Sequence, residues 1–179
     1  MTQTVVSTRQ RVLAIDPSPR GFGFAVLQDE PLETLDWGLS SCKRFGGSCS
    51  RMTAKTIRRT RPTAIVFENW RSAHPNRVMP LWRFLKQIAD VLDTAGVPVY
   101  TYSRDQIRAV FEPIGAYTKQ QIAEVLVNRF PELRTRLPRP RQIWDTEDDR
   151  MSIFDAASLA LTHLSVECHE YAEAIEIGE

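Results

Sequence analysis

Apolar positions fall into short unbroken runs in the first half of the chain and into helical spacing in the second. Val12 to Ile15 is a run of strand formers that ends on Asp16, and a second run spans Phe24 to Leu27. Pro17, Ser18, Gly21 and Gly23 lie between them and favour a turn, so residues 11–27 predict a β-hairpin. Residues 33–41 predict a third, irregular strand at the sheet edge. A Gly/Ser-rich loop follows at 43–50, then a short basic helix at 51–60 that ends before Pro62. Residues 63–67 are almost continuously apolar, the pattern of a strand buried on both faces, and lead into Glu68. After a loop at 69–79, Leu81, Phe84, Leu85, Ile88 and Leu92 mark one face of a helix over 80–95, with Gly96 as its stop. Residues 97–102 predict another strand. Ser103 N-caps a helix over 105–111, and Thr118 begins one that runs to Phe130. A Pro/Arg-rich connection covers 133–144, and Thr146 caps a last helix from about Glu147 to Val166. The order predicts an α/β fold with one mixed sheet, a single domain over 1–179 whose residues 167–179 form an acidic tail.

Composition is that of a globular chain, 42% hydrophobic and 25% charged, with no apolar run long enough to span a bilayer. The opening MTQTVVSTR lacks the apolar core of a signal peptide, which predicts a cytoplasmic protein that does not engage membranes. Cys42, Cys49 and Cys168 fit neither a disulfide framework nor a zinc pattern and read as reduced thiols. The absence of GxxxxGK[ST] and GxSxG argues against a bound nucleotide cofactor and against a serine hydrolase. Charge is segregated beneath a net +1. Between Lys43 and Lys86, eleven basic residues face one acid, Glu68, while from Asp145 to Glu179 ten acids face one base, Arg150. That pattern suits a surface for a polyanion, and aromatic residues within the basic block favour nucleic acid. The competing arrangement pairs the two blocks across the fold.

Asp16 and Glu68 each close a predicted strand; parallel pairing of those strands would set both acids at one sheet edge. Asp16 alone also suits a turn cap. Asp155 lies mid-helix among Ile153, Phe154, Ala156 and Ala157, where a carboxylate is costly without a partner. On a helix beginning at Glu147, Asp148 lies seven positions before Asp155 and about 20° round from it, so the two share a face. Acids in a first turn also favour the helix dipole, and Thr146-x-x-Asp149 approximates a capping box. Converging carboxylates repel one another; oxygen-only ligands suit Mg²⁺ or Mn²⁺, and two such ions serve phosphodiester hydrolysis.

The chain resembles the RuvC family of crossover-junction endonucleases, within the RNase H-like nuclease superfamily. AIDPSPRGFGFAVL resembles the family's opening strand, turn and strand, IVFE its glutamate-bearing strand, and FDAASLALTH its closing helix. YSRDQIRAVF and YTKQQIAEVLVNRF resemble its late helical pair, with Lys119 where the family has a basic residue. The resemblance implies a central mixed five-stranded sheet flanked by helices, with Asp16, Glu68 and Asp155 as ligands of two divalent metals and DNA hydrolysis as the activity. One departure stands out: the family's closing D-x-x-D pair has Ser152 at its first position, and Asp148 is the candidate to replace it. Lys119 or nearby arginines would steady the phosphate. Trp70 lies in the loop where the family has an aromatic that stacks on bases, flanked by Arg71 and Arg77, although a buried Trp is the ordinary alternative. Arg139 and Arg141 complete the predicted nucleic-acid contacts.

The function these features predict is metal-dependent endonuclease action on branched DNA such as Holliday junctions, with a homodimer left open. The rival is a non-catalytic nucleic-acid-binding domain in which Ser152 marks a lapsed site. A sugar-kinase or actin-like ATPase fits less well, because those need two such domains around the nucleotide.

Overall fold

The structure is a computed structural model. It describes residues 9–18, 20–42, 48–69, 75–140, 142, 144 and 146–167, with backbone alone for 75–81. Five strands form one sheet: β1 (Arg11–Ser18), β2 (Gly21–Gln28), β3 (Glu33–Ser41), β4 (Ala64–Glu68) and β5 (Val99–Tyr102). Their order is β3-β2-β1-β4-β5. β1 and β2 are the expected antiparallel hairpin, and β3 adds to β2 at the edge with a register shift between Val26 and Leu27. β4 pairs parallel with β1, and β5 parallel with β4. The mixed five-stranded sheet is therefore present as expected.

Among the described residues, five α-helices flank it: α1 (Ser48–Thr60), α2 (Pro75–Ala95), α3 (Arg104–Phe111), α4 (Lys119–Arg129) and α5 (Met151–Glu167). α3 and α4 begin where the sequence places them. Ser103 and Thr118 each accept the N–H of the residue three positions on, and Gln106 and Gln121 reciprocate to close capping boxes. α2 begins five residues earlier than expected, because Pro75 rather than Pro80 takes the first turn, where a missing N–H costs nothing. Arg77 is consequently helical, not in a loop.

The last helix starts later than expected. Residues 148–153 are linked by three-residue turns, Met151 N to Asp148 O, Ser152 N to Asp149 O and Ile153 N to Arg150 O. The Asp148 carboxylate accepts the Arg150 N–H at 2.9 Å, a local bond that competes with helix formation. Thr146 is therefore not the cap. A second correction concerns the thiols: Cys42 and Cys49, at the end of β3 and the start of α1, form a disulfide across seven positions. An odd count and wide spacing of the three cysteines favour reduced thiols in the sequence; the end of β3 and the start of α1 instead bring Cys42 to Cys49.

Strand alternation sorts the core into two clusters. Leu13, Ile15, Phe22, Phe24, Val26, Ile65 and Phe67 pack beneath α1 and α2 with Ile57, Phe84 and Ile88. Val12, Ala14, Ala25, Leu27, Ala64 and Val66 pack on the other face against α5, which α3 and α4 cover in turn. α5 is buried from Met151 to Ser165. Its inward hydroxyls are satisfied by its own carbonyls, Ser158 on Asp155 at 2.8 Å and Thr162 on Ser158 at 2.8 Å. A helix with polar residues can thus lie at the centre of the molecule.

Candidate active site

The alternation that builds the core also aims the acids. Asp16 continues the set Val12, Ala14, and Glu68 continues Ala64, Val66, so both carboxylates face α5. Ile15 pairs with Phe67 in the parallel register, and the next step sets Asp16 beside Glu68. Across the hairpin, Asp16 pairs with Gly23. A Cβ on Gly23 would lie 2.3 Å from the carbonyl carbon of Ser152 and 2.5 Å from its Oγ. Glycine is required there by close approach: it lets the start of α5 rest on β2, which carries Asp155, one turn further on, to the same strand ends. Asp16, Glu68 and Asp155 are 3%, 2% and 6% exposed. Three carboxylates from three elements are thus buried on one face of the sheet.

Two cations meet them. Arg104, the first residue of α3, follows β5 directly, and β5 ends at the same edge as β4. Its Nε lies 3.2 Å from Glu68 Oε1 and its second guanidinium nitrogen 3.1 Å from Asp155 Oδ1. Lys119 Nζ, at the first residue of α4, lies 2.7 Å from Asp155 Oδ2 and 2.5 Å from Glu147 Oε1. Burial alone would lower the Lys119 pKa, and Arg104 pushes the same way. The Asp155 charge and the hydrogen bonds to Asp155 and Glu147 outweigh both, so its pKa is raised and the ammonium persists at neutral pH.

Hard oxygen donors of this kind suit Mg²⁺ or Mn²⁺. Their arrangement does not yet suit either: among the described residues, no three acidic, histidine or cysteine side chains form a group that could hold an ion. Arg104 and Lys119 take up carboxylate oxygens that an ion would need. The donors fit a divalent ion by chemistry, and by geometry only once those contacts open.

The remaining expected residues divide. Ser152 is buried, and its hydroxyl donates to Asp149 O at 2.7 Å, back into its own turn. Asp148 does not share the Asp155 face, because it precedes the helix. Its exposed carboxylate is gripped by Arg150, with Arg150 nitrogens at 2.6 and 3.1 Å. The Arg150 hydrogen bond holds the Asp148 carboxyl below its ordinary pKa and raises that of the guanidinium in return. Asp149 pairs with Arg20 at 2.9 Å. Arg139 is exposed and lines a cavity of about 560 Å³ with Lys119, Thr146, Glu147 and Arg150. Trp70, Arg71 and Arg141 lie outside the described residues, as does the Arg77 side chain. The basic residues of α1 (Arg51, Lys55, Arg58, Arg59) are exposed, and Arg59 pairs with Asp36 at 2.5 Å. Glu147, Asp148, Asp149 and Asp155 instead meet Arg20, Arg104, Lys119 and Arg150, all outside the basic block.

Arg104 and Glu147 are the site residues that sequence reading missed. A signal for Arg104 existed, since a residue just past a strand parallel to β4 must emerge at the Glu68 edge. Glu147 carried none, because its contact with Lys119 depends on how the 146–150 segment folds back.

Comparison with solved structures places this architecture. RuvC of Thermus thermophilus, in complex with a Holliday junction substrate, superposes with a TM-score of 0.66 at 22% identity, covering 88% of this chain and 95% of that one. A second structure of Thermus thermophilus RuvC gives 0.65 at 20% identity, over 89% and 97%. Fowlpox virus resolvase, in complex with substrate Holliday junction DNA, gives 0.50 at 11% identity, over 87% and 99%. No protein-family model matches the sequence, and no curated protein matches it. The fold is that of RuvC, an RNase H-like fold.

Proposed function

We propose that this chain is an endonuclease that binds branched DNA, Holliday junctions in particular, and hydrolyses its phosphodiester backbone. The observation that carries this reading is the burial of Asp16, Glu68 and Asp155 between the sheet and α5 of a RuvC-like fold, each less than a tenth exposed. Burial of three carboxylates, two near strand ends and one in α5, costs stability that apolar residues there would not. A role in chemistry accounts for it. Two of the solved neighbours of similar fold are complexes with Holliday junctions, which supports DNA as the substrate.

In this proposal Asp16, Glu68 and Asp155 would hold Mg²⁺ or Mn²⁺, which supplies an activated water and stabilises charge on the phosphate oxygens. Lys119 stands beside Asp155 with its ammonium charged, placed to meet a non-bridging phosphate oxygen. Arg139, at the rim of the adjoining cavity, and the outward basic residues of α1 would contact the backbone of the arms. Asp148, held by Arg150, is not part of this set.

A second reading, a junction-binding domain that does not cut, draws on one observation: Ser152 brings no charge and spends its hydroxyl on Asp149 O. One experiment separates the two. A labelled four-way junction is incubated with wild type, Asp16→Asn and Asp155→Asn in Mg²⁺ or Mn²⁺, and binding is measured in parallel without metal. Cutting by wild type alone, with all three proteins binding, is the expected result. Binding without cutting by wild type supports the second reading, and failure of wild type to bind would reject both.

A further inference from the structure

We propose that Arg104 is an internal cation that occupies the place of a divalent ion between Glu68 and Asp155, so that a metal enters this site by displacing it. The inference rests on the reading of the three carboxylates as metal ligands and says how this chain departs from a plain carboxylate site.

Two carboxylates as buried as Glu68 and Asp155 would repel each other across a medium of low dielectric constant. Something positive must stand between them in the metal-free fold. Arg104 does so with two different nitrogens of one planar group, at 3.2 Å from Glu68 and 3.1 Å from Asp155. Its backbone is pinned for the task by the Ser103–Gln106 capping box at the start of α3. Lys119 takes the other oxygen of Asp155, so both Asp155 oxygens are engaged.

Lys119 is shared between Asp155 and Glu147, so Arg104 is the cation that bridges Glu68 and Asp155. A divalent ion approaching that pair meets the like charge of the guanidinium. Removal of Arg104 would leave the two carboxylate charges of Glu68 and Asp155 to face one divalent ion. A guanidinium cannot relieve the conflict by losing its proton, because it stays charged at any workable pH. It must swing out, and its side chain, 23% exposed, borders solvent into which it could do so. Ser152 sharpens the point, since a neutral residue there adds no charge with which to outbid the arginine.

The test reads metal binding, not cutting. Mn²⁺ is titrated into wild type, Arg104→Gln and Arg104→Lys, with affinity from calorimetry or the paramagnetic signal and melting temperature with and without the ion. Arg104→Gln is expected to bind Mn²⁺ about tenfold more tightly than wild type or better, since a like charge a few ångströms from the ion is lost. It should also melt lower than wild type without metal and recover when Mn²⁺ is added. Arg104→Lys, which keeps the charge but cannot fork across two carboxylates, should fall between the two and serves if Arg104→Gln does not fold unaided. Equal affinity of wild type and the folded variants would overturn the displacement while leaving the carboxylates as ligands. No Mn²⁺ binding by any of them would overturn it together with the metal-site reading.

Discussion

On the α1–α2 face of the sheet, the strands present Leu13, Ile15, Phe22, Phe24 and Phe67 to large partners such as Phe84 and Ile88. On the α5 face the same strands carry Ala14, Ala25 and Ala64 among Val12, Leu27 and Val66, with Ala156, Ala157 and Ala160 of α5 in the same cluster and Gly23 against Ser152. The first face is filled by bulky side chains; the second is thin at the alanines and at Gly23, where the start of α5 presses against the backbone itself. Buried carboxylates and the buried imidazole of the sheet and its helices, Asp16, Glu68, Asp155 and His163, all belong to the thin side. The buried polar residues of α1 are hydroxyls alone, Thr53, Thr56 and Thr60. Small residues let α5 approach the strand backbone beside the buried acids, while large ones fill the opposite layer. Aromatic packing against α2 and buried charge thus lie on opposite faces of the sheet.

Phe84→Ala tests the bulky face and should have the largest effect on stability. Its ring is fully buried and meets Phe22 edge-on at 5.5 Å between centroids. Loss should cost about 3–5 kcal/mol in a denaturant titration. Junction affinity of the protein that remains folded should not change; a matching loss of affinity would show that the two faces are not separable. Gly23→Ala tests the thin face. A Cβ 2.3 Å from the α5 backbone forces the helix off β2, which should cost about 1–3 kcal/mol as overpacking does. Unlike Phe84→Ala, it should also weaken whatever ion or junction binding depends on Asp155. A Gly23→Ala protein with wild-type binding would mean that α5 can rise without moving its carboxylate.

The smallest effect expected is a pH dependence confined to the α5 side. His163 shares a hydrogen bond with Tyr102 at 2.9 Å, and the Tyr100 ring lies 4.5 Å away between centroids. Burial lowers the His163 pKa below its ordinary 6.5, although the Glu167 charge opposes this. Burial, with Glu167, also pushes the Tyr102 hydroxyl up to about 12, so it stays protonated. A depressed folded pKa means that the unfolded chain takes up the proton first. The stability of the neutral imidazole is therefore complete above the ordinary value and is lost as pH falls through the lower folded one. Thermal melts between about pH 7.5 and 5.5 should show a decline that His163→Gln lacks. An equal decline in both would assign the acid sensitivity to the carboxylates instead.

Local pattern determined much of this protein. Apolar runs, turn residues and caps at Ser103 and Thr118 are interactions between near neighbours, so the strands, α3 and α4 were legible in the sequence. So was the burial of Asp16, Glu68 and Asp155, because an acid at the end of an apolar run or inside one is carried inward with its neighbours. The tertiary structure decided what depends on distant partners. Asp148 reads as a helix-face acid until its carboxylate is seen to take the Arg150 N–H and delay the helix to Met151. Cys42 and Cys49 read as thiols until the end of β3 and the start of α1 bring them together. Arg104 reads as an ordinary first-turn residue; only the parallel pairing of β4 with β5 and the descent of α5 onto Gly23 put its guanidinium between Glu68 and Asp155. Charge on a long side chain is satisfied by whatever the fold brings within reach, and that distance is not written in the neighbouring residues.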